Sequence, residues 1–397
     1  MMSREFDIII YGATGFTGKL AVEYIDNNYS NIKWAIAGRN SKKLTEISNS
    51  TKSKPPIFIA RSDDAKSLSD VVRKTKVIAS LAGPFSKFSN ELVNQCYEND
   101  TNYVDITGEN IWVRDLIDRY HKGCEDKGIF IIPSCGYDSI PSDIGSFYCH
   151  MMLNENIDHI DGYHTGKGGV SGGTIESAFN MKNYKSSYKI GHPFLLNSKE
   201  FIKNNYNAKS KDKFSIKYIK DINKYSAPFV MAIANTRVVR RTAELKQNNQ
   251  TSYGPNFSYN EYMKAGSYTS ALMITLGLGA LGLMIVSPIS NLFRKMFTKP
   301  GNGPDKKTRD EGWFESIFVV KTETGNKYKF RLFGDGDPGY KSTAKLICES
   351  ALCIALNFDQ IAKNNTGGVL TTASGLGETL VKRLKNANIL FEGPDKI

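Results

Sequence analysis

Residues Phe6 to Tyr11 form a short apolar run that ends in Gly12-Ala-Thr-Gly15-Phe-Thr-Gly18, after which Lys19 to Ile25 carry apolar residues at helical spacing. Strand, glycine turn and helix in direct succession restrict the fold more than any other stretch. They are the opening of a βαβ dinucleotide-binding unit. Gly12 permits the tight turn, Gly15 lets a pyrophosphate approach the backbone, and Gly18 lets the helix sit close on the strand. The N-terminus of that helix offers unpaired N–H groups and a partial positive charge to phosphates. Thr14, Phe16 and Thr17 complete this expected cradle. A tight turn without a ligand is the plainer alternative.

A second strand, Lys33 to Gly38, ends in Arg39 and Asn40. In a Rossmann unit an acid at this place binds the ribose 2′-hydroxyl of NAD, whereas an arginine suits the 2′-phosphate of NADP. Arg39 occupies the place, and its planar guanidinium can hold a phosphate with two bonds. NADP(H) is therefore expected over NAD, with Arg39 as reader and Asn40 and Ser41 beside it. Further strands are expected at 56–60, 76–81, 103–107 and 128–133, separated by helices, which implies a parallel sheet covered on both faces. The exit of the fourth, Ala82-Gly83-Pro84, lies at the carboxyl end of a strand, where open α/β sheets bind ligands. After the sixth strand, Ser142 or Asp143 is expected to cap a helix beginning near Ile144. Tyr137 and Asp138 are the ionisable side chains placed to reach a nicotinamide, and they are the candidate catalytic groups. Hydrogen bonding within the turn is the alternative for both.

The chain of 397 residues is long enough for two domains, and its formal charge of +12 suits an anionic ligand or surface, or a merely solvated lysine-rich exterior. It carries no zinc finger, RNP-like motif or dense arginine run, so nucleic acid is not expected. Six scattered cysteines without a C-x-x-C read as reduced thiols. The chain passes from Met1 directly into its first strand, with no expected signal or transit peptide. The five histidines show no metal-ligand spacing, so no metal site is expected.

Several stretches taken together resemble the saccharopine dehydrogenase-like oxidoreductase family, which includes the trans-acting enoyl reductases. They are Tyr-Gly-Ala-Thr-Gly-Phe-Thr-Gly, Ala-Gly-Arg-Asn, Leu-Ala-Gly-Pro-Phe, Tyr-Val-Asp-Ile-Thr-Gly-Glu and Cys-Gly-Tyr-Asp-Ser-Ile-Pro-Ser-Asp. Gly166 to Thr174, Lys299 to Pro304, Gly336 to Tyr340 and Gly367 to Thr371 continue the likeness over nearly the whole chain. Asn302 stands where Glu is expected, and Thr372 where Pro is expected. The resemblance implies an α/β architecture: an N-terminal Rossmann domain joined to an α+β domain. The expected division is 1–145 for the dinucleotide domain, 146–345 for a substrate or dimerisation domain, and 346–397 for helices that pack back on the first. It does not imply lysine metabolism.

Within the second region, 197–225 is rich in Lys and Asn and reads as solvated loop, or as a basic patch facing a membrane. Residues 232–245 and 314–333 contain strand-like runs. Between them, 270–288 carries no charge and is apolar on all sides, at the borderline length for spanning a bilayer. Arg294, Lys295 and Lys299 follow it. A buried core helix is one reading. The other is a one-sided membrane or lipid-droplet contact, with Gly277, Gly279, Gly282 and Pro288 permitting a bend. That reading places the protein on the cytoplasmic side of a membrane or droplet, with the mitochondrion as a further option.

The leading expectation is an NADP(H)-dependent oxidoreductase acting on a lipid-like or membrane-borne substrate, with an enoyl or carbonyl group as acceptor. A homodimer is a further expectation. The competing one is a non-catalytic nucleotide-binding scaffold on membranes or lipid droplets. An enzyme needs space for substrate beside Leu81 to Phe85 with Tyr137 and Asp138; a scaffold does not. Saccharopine chemistry itself needs cations for an amino-dicarboxylate, and the sequence shows no such cluster.

Overall fold

The computed structural model describes residues 4–169, 176–177, 179, 184, 186–205, 211–248, 251–287, 303–363 and 365–397. Strands β1 (Phe6–Tyr11), β2 (Trp34–Gly38), β3 (Ile57–Ile59), β4 (Thr75–Ser80), β5 (Asn102–Asp105) and β6 (Phe130–Ile132) come first. They are followed by β7 (Ile157–Lys167), β8 (Lys217–Ile219), β9 (Lys224–Ala227), β10 (Ser258–Ala265), β11 (Trp313–Thr322), β12 (Lys327–Asp335), β13 (Gly368–Val369) and β14 (Ile389–Lys396).

The first sheet runs β13-β6-β5-β4-β1-β2-β3, and its pairings are all parallel. The order 3-2-1-4-5-6 within it is that of a doubly wound dinucleotide fold, whose switch point lies between β1 and β4. Alternation along β1 explains how both faces are covered. Ile8 and Ile10 join the core under the Thr343–Ala362 helix, with Ile347 and Ala351. Ile9 and Tyr11 join the opposite core, with Leu68, Leu92 and Trp112. The expected parallel α/β sheet is thus present, and its seventh strand arrives from the far end of the chain.

The second sheet runs β14-β12-β11-β7-β10-β9-β8 and is antiparallel except where β10 runs parallel to β7. The last fifty residues therefore serve both sheets. Glu349 of the Thr343–Ala362 helix accepts hydrogen bonds from Tyr24 Oη at 2.7 Å and from Tyr29 Oη, and Arg383 Nε at 3.0 Å completes the cluster. It fastens this helix to the Phe16–Asn28 helix that follows the glycine loop.

Three expectations are corrected. Residues Ala232–Asn248 form a helix, not a strand. It is buried on nearly every side, with Arg237, Arg240 and Arg241 inside, so no polar face marks its period. Arg237 and Arg240 pair with Asp212 and Arg241 with Glu244, which explains how cations survive there. The helix after β6 begins at Ile140, with Ser139 in the cap position. Asp143 lies inside it and accepts from Thr372 Oγ1 and Ala373 N, both at 2.8 Å. Finally, Gly277, Gly279 and Gly282 sit within one continuous helix, Tyr268–Val286. Pro288, Arg294, Lys295, Lys299 and Asn302 lie outside the described residues.

Candidate active site

A cavity of about 800 Å³ opens at the carboxyl ends of β1, β2 and β4 and is bounded on its other side by residues of the second sheet's connections. Gly12, Thr14, Gly15, Phe16 and Thr17 form one wall, and Ala82, Gly83 and Pro84 face them. This is the crevice at the switch point, where the strand order reverses.

The glycines are fixed by geometry. Gly12 has φ +82°, and a Cβ there would lie 2.9 Å from Ala82 N. A Cβ on Gly18 would lie 2.3 Å from Gly12 O, so any side chain would push the helix off the loop. Gly18 itself does not line the cavity; it brings the helix close. No side chain caps that helix at Gly15, which leaves its first N–H groups for an anion. Phe16 is held edge-on by Tyr340, with ring centroids 4.6 Å apart.

Arg39 is exposed at the end of β2, lines the cavity and makes no ion pair among the described residues. Asp63 nearby is engaged by Arg61 through two bonds of 3.0 Å. Asn40 plays a different part: its Oδ1 accepts the Lys43 N–H at 3.0 Å and caps the next helix. Burial of Tyr11 pushes its phenol up to about 12, so it stays protonated beside the loop.

The two candidate catalytic groups separate. Asp138 lines the cavity, and its carboxylate makes no hydrogen bond among the described residues. Burial raises it to about 6. Tyr137 does not line the cavity. Its ring packs edge-on against Phe314 at 5.2 Å, and burial holds its phenol well above the usual range. The Thr343 hydroxyl positions the turn, since it accepts the Tyr137 N–H at 3.1 Å and donates to Pro338 O at 2.8 Å.

Residues without an assigned role in the sequence build the rest. The Tyr-Val-Asp-Ile-Thr-Gly-Glu stretch supplies two buried carboxylates. Asp105 accepts from Thr107 N at 2.9 Å, Ser134 N at 3.0 Å and Tyr103 Oη at 2.9 Å, and burial lifts it to about 7. Glu109 accepts from Phe85 N at 2.9 Å, Ser86 N at 3.1 Å and Ser177 Oγ at 3.0 Å. Glu109 thus ties the backbone just after the Ala82–Pro84 wall to Ser177, another lining residue. Asp337 similarly caps the Pro338–Ser342 turn, which carries Gly339 and Tyr340 into the cavity.

The mouth is apolar. Phe88, Ile190, Val230 and Ile233 line it while remaining substantially exposed. Ile285 and Val286, the last residues of the Tyr268–Val286 helix, complete it. That helix is uncharged and almost wholly exposed, with Ala271 its buried residue. It is long and apolar enough to cross a membrane.

Comparison with known proteins agrees with this geometry. Residues 8–132 match the saccharopine dehydrogenase NADP-binding domain. A protein named trans-acting enoyl reductase from Mycobacterium tuberculosis is 30% identical over 416 residues, covering 98% of this chain and 97% of that one. Another of that name from Mycobacterium ulcerans is 29% identical at the same coverage. Apo saccharopine dehydrogenase (L-Glu forming) from Saccharomyces cerevisiae has the same fold, with a TM-score of 0.55 at 13% identity over 98% of this chain and 99% of that one. The cofactor of the site is NADP. The glycine cradle, the uncapped helix and the unpaired Arg39 fit it.

Proposed function

Because the chain belongs to the saccharopine dehydrogenase-like oxidoreductase family and binds NADP, we propose that it reduces a conjugated double bond of a lipid-like, membrane-borne substrate. One observation carries the reading: the unpartnered Asp138 carboxyl shares a single cavity with the glycine loop and Arg39. When bound, NADPH supplies the hydride. The glycine loop and helix N-terminus would hold its phosphates, and Arg39 its 2′-phosphate. The Ala82–Pro84 wall, held by Glu109, shapes the nicotinamide end. That hydride would go to the β-carbon of a conjugated acceptor, and Asp138 is placed to give the α-carbon its proton. Water then reprotonates Asp138. A carboxyl raised to about 6 is suited to this, because general acids work best with a pKa near the operating pH. The relatives named enoyl reductases support an enoyl acceptor.

The membrane part of the proposal rests on the Tyr268–Val286 helix. It carries no charge, and Met273, Leu276 and Leu283 are 60–71% exposed. Such a surface is unfavourable in water and suits a bilayer interface.

Titration of the purified protein with NADPH and NADH, followed by nicotinamide fluorescence, tests the cofactor half. NADPH should bind far more tightly, and Arg39→Asp should remove most of that preference. Equal loss for both nucleotides would exclude Arg39 as the phosphate reader. NADPH oxidation by membrane-dispersed enones then tests the chemistry.

A further inference from the structure

We propose that the β8–β9 hairpin reads anionic phospholipid headgroups, so that the protein docks on a negatively charged bilayer with the Tyr268–Val286 helix lying flat in the interface. The proposal rests on the membrane part of the function above and not on the reductase chemistry.

The helix is fastened at both ends. Near its start Ala271 is buried against Ala227 and Ala265, with Ile274 packed on them. At its finish Ile285 and Val286 line the cavity mouth. A helix held to the body at two points runs along the surface and does not stand out from it. At 1.5 Å per residue its 19 residues place the hairpin end and the mouth about 28 Å apart. Leu272, Met273, Leu276 and Leu283 are exposed between them. An uncharged exposed ridge with an apolar mouth at one end fits a lipid surface.

The other end fits headgroups. Tyr218 and Tyr225 are cross-strand partners with ring centroids 5.2 Å apart, and Tyr225 meets Tyr268 at 6.0 Å. Three tyrosines thus stand in a row at the foot of the helix, and tyrosine rings settle at the boundary between acyl chains and water. On the same hairpin Lys217, Lys220 and Lys224 are exposed and make no ion pair among the described residues. The nearby acids are already engaged, Asp212 by Arg237 and Arg240 and Asp221 by Lys327. The hairpin therefore presents uncompensated positive charge beside a tyrosine row, the complement of an anionic headgroup layer. Lys217 and Lys224 alternate to the far side of the strands from the tyrosines, and their four-carbon stems let the ammonium groups reach round the edge strand β8. Lysines also keep edge strands from pairing, but that role needs neither the tyrosines nor the helix.

The test floats the full chain with vesicles of phosphatidylcholine alone or mixed with phosphatidylglycerol, with circular dichroism as the check that each variant is folded. The anionic vesicles should take up the protein about tenfold better, and raised salt should abolish the difference. Lys217→Glu/Lys220→Glu/Lys224→Glu keeps a charged edge but reverses its sign. It should remove the preference while leaving NADPH affinity and binding to phosphatidylcholine unchanged. Leu276→Asp should weaken binding to both kinds of vesicle. Equal uptake by the two kinds would overturn the proposal and leave the membrane reading standing, as would a triple variant that keeps the preference. No uptake by either kind, whether the chain stays single or pairs through the helix, would overturn both.

Discussion

The Glu109 carboxylate accepts the Phe85 N–H at 2.9 Å, although the two residues leave different strands of the first sheet. The same carboxylate accepts from Ser86 N and Ser177 Oγ, so one buried group joins two separate lining segments of the cavity.

Glu109→Ala removes that acceptor and strands two backbone donors. A loss of about 2 kcal/mol or more in stability is expected from unsatisfied buried groups. Urea unfolding measures it. Glu109→Gln keeps one acceptor oxygen, and its effect should fall mainly on NADPH affinity. If Glu109→Ala unfolds like the parent protein, the bond from the wall is not needed.

Gly18→Ala places a Cβ 2.3 Å from Gly12 O, and the helix must retreat. Both stability and NADPH affinity should fall. Gly15→Ala meets Gly12 O at 3.3 Å and Leu81 O at 4.0 Å, so it should fold nearly normally while weakening NADPH, because Gly15 lines the cavity where the phosphates are expected. Fluorescence titration of the two variants separates these outcomes.

Asp138 acts as an acid in its protonated form, which prevails below about 6. Reductive kcat/KM should therefore be highest on the acidic side and fall as pH rises through about 6. Asp138→Asn should lower the rate by about 10²-fold and flatten that limb. Stability should move the other way. A carboxyl raised from 3.8 to about 6 on folding costs stability as pH climbs through that window, so the Asn variant should be the more stable protein at neutral pH. A parent pH profile that is flat through this range would remove Asp138 as the donor.

Glu349→Ala leaves the half-buried Arg383 without its carboxylate partner and releases Tyr24 and Tyr29. Breaking a fully buried ion pair on one side costs about 3 kcal/mol, and the partial exposure of Arg383 brings the expected loss to about 2 kcal/mol. Because Tyr24 belongs to the helix behind the glycine loop, hydrogen exchange should rise in 16–28 as well as in 343–362.

The first sheet was legible in the sequence because each of its opening strands is a short apolar run closed by glycine or polar residues. Arg39 was singled out by position alone, at the end of β2, and the structure sets it on the cavity lining. Glu109 and Asp105 were visible as a motif but not as acceptors, since their partners lie on other loops and are adjacent only once the strands align. The Ala232–Asn248 helix misled because the arginines in it are buried, and a helix packed on all sides shows no amphipathic period. Tyr137 and Asp138 are neighbours in sequence, yet the turn sends one ring to Phe314 and the other side chain to the cavity. Thr372, which departs from the expected Pro, gains a use in the fold: its hydroxyl donates to Asp143, a bond no proline side chain can make.

The placement of β13 and the Thr343–Ala362 helix also governs how the chain must be born. During synthesis β1 to β6 emerge early, but the helix that covers Ile8, Ile10 and Val77 and the strand that pairs with β6 are made almost last. Until then the nascent sheet has one oily face bare and one edge open, the condition that invites aggregation and chaperone capture. A chain stopped before residue 343 would therefore be an insoluble fragment and not a smaller dinucleotide-binding protein.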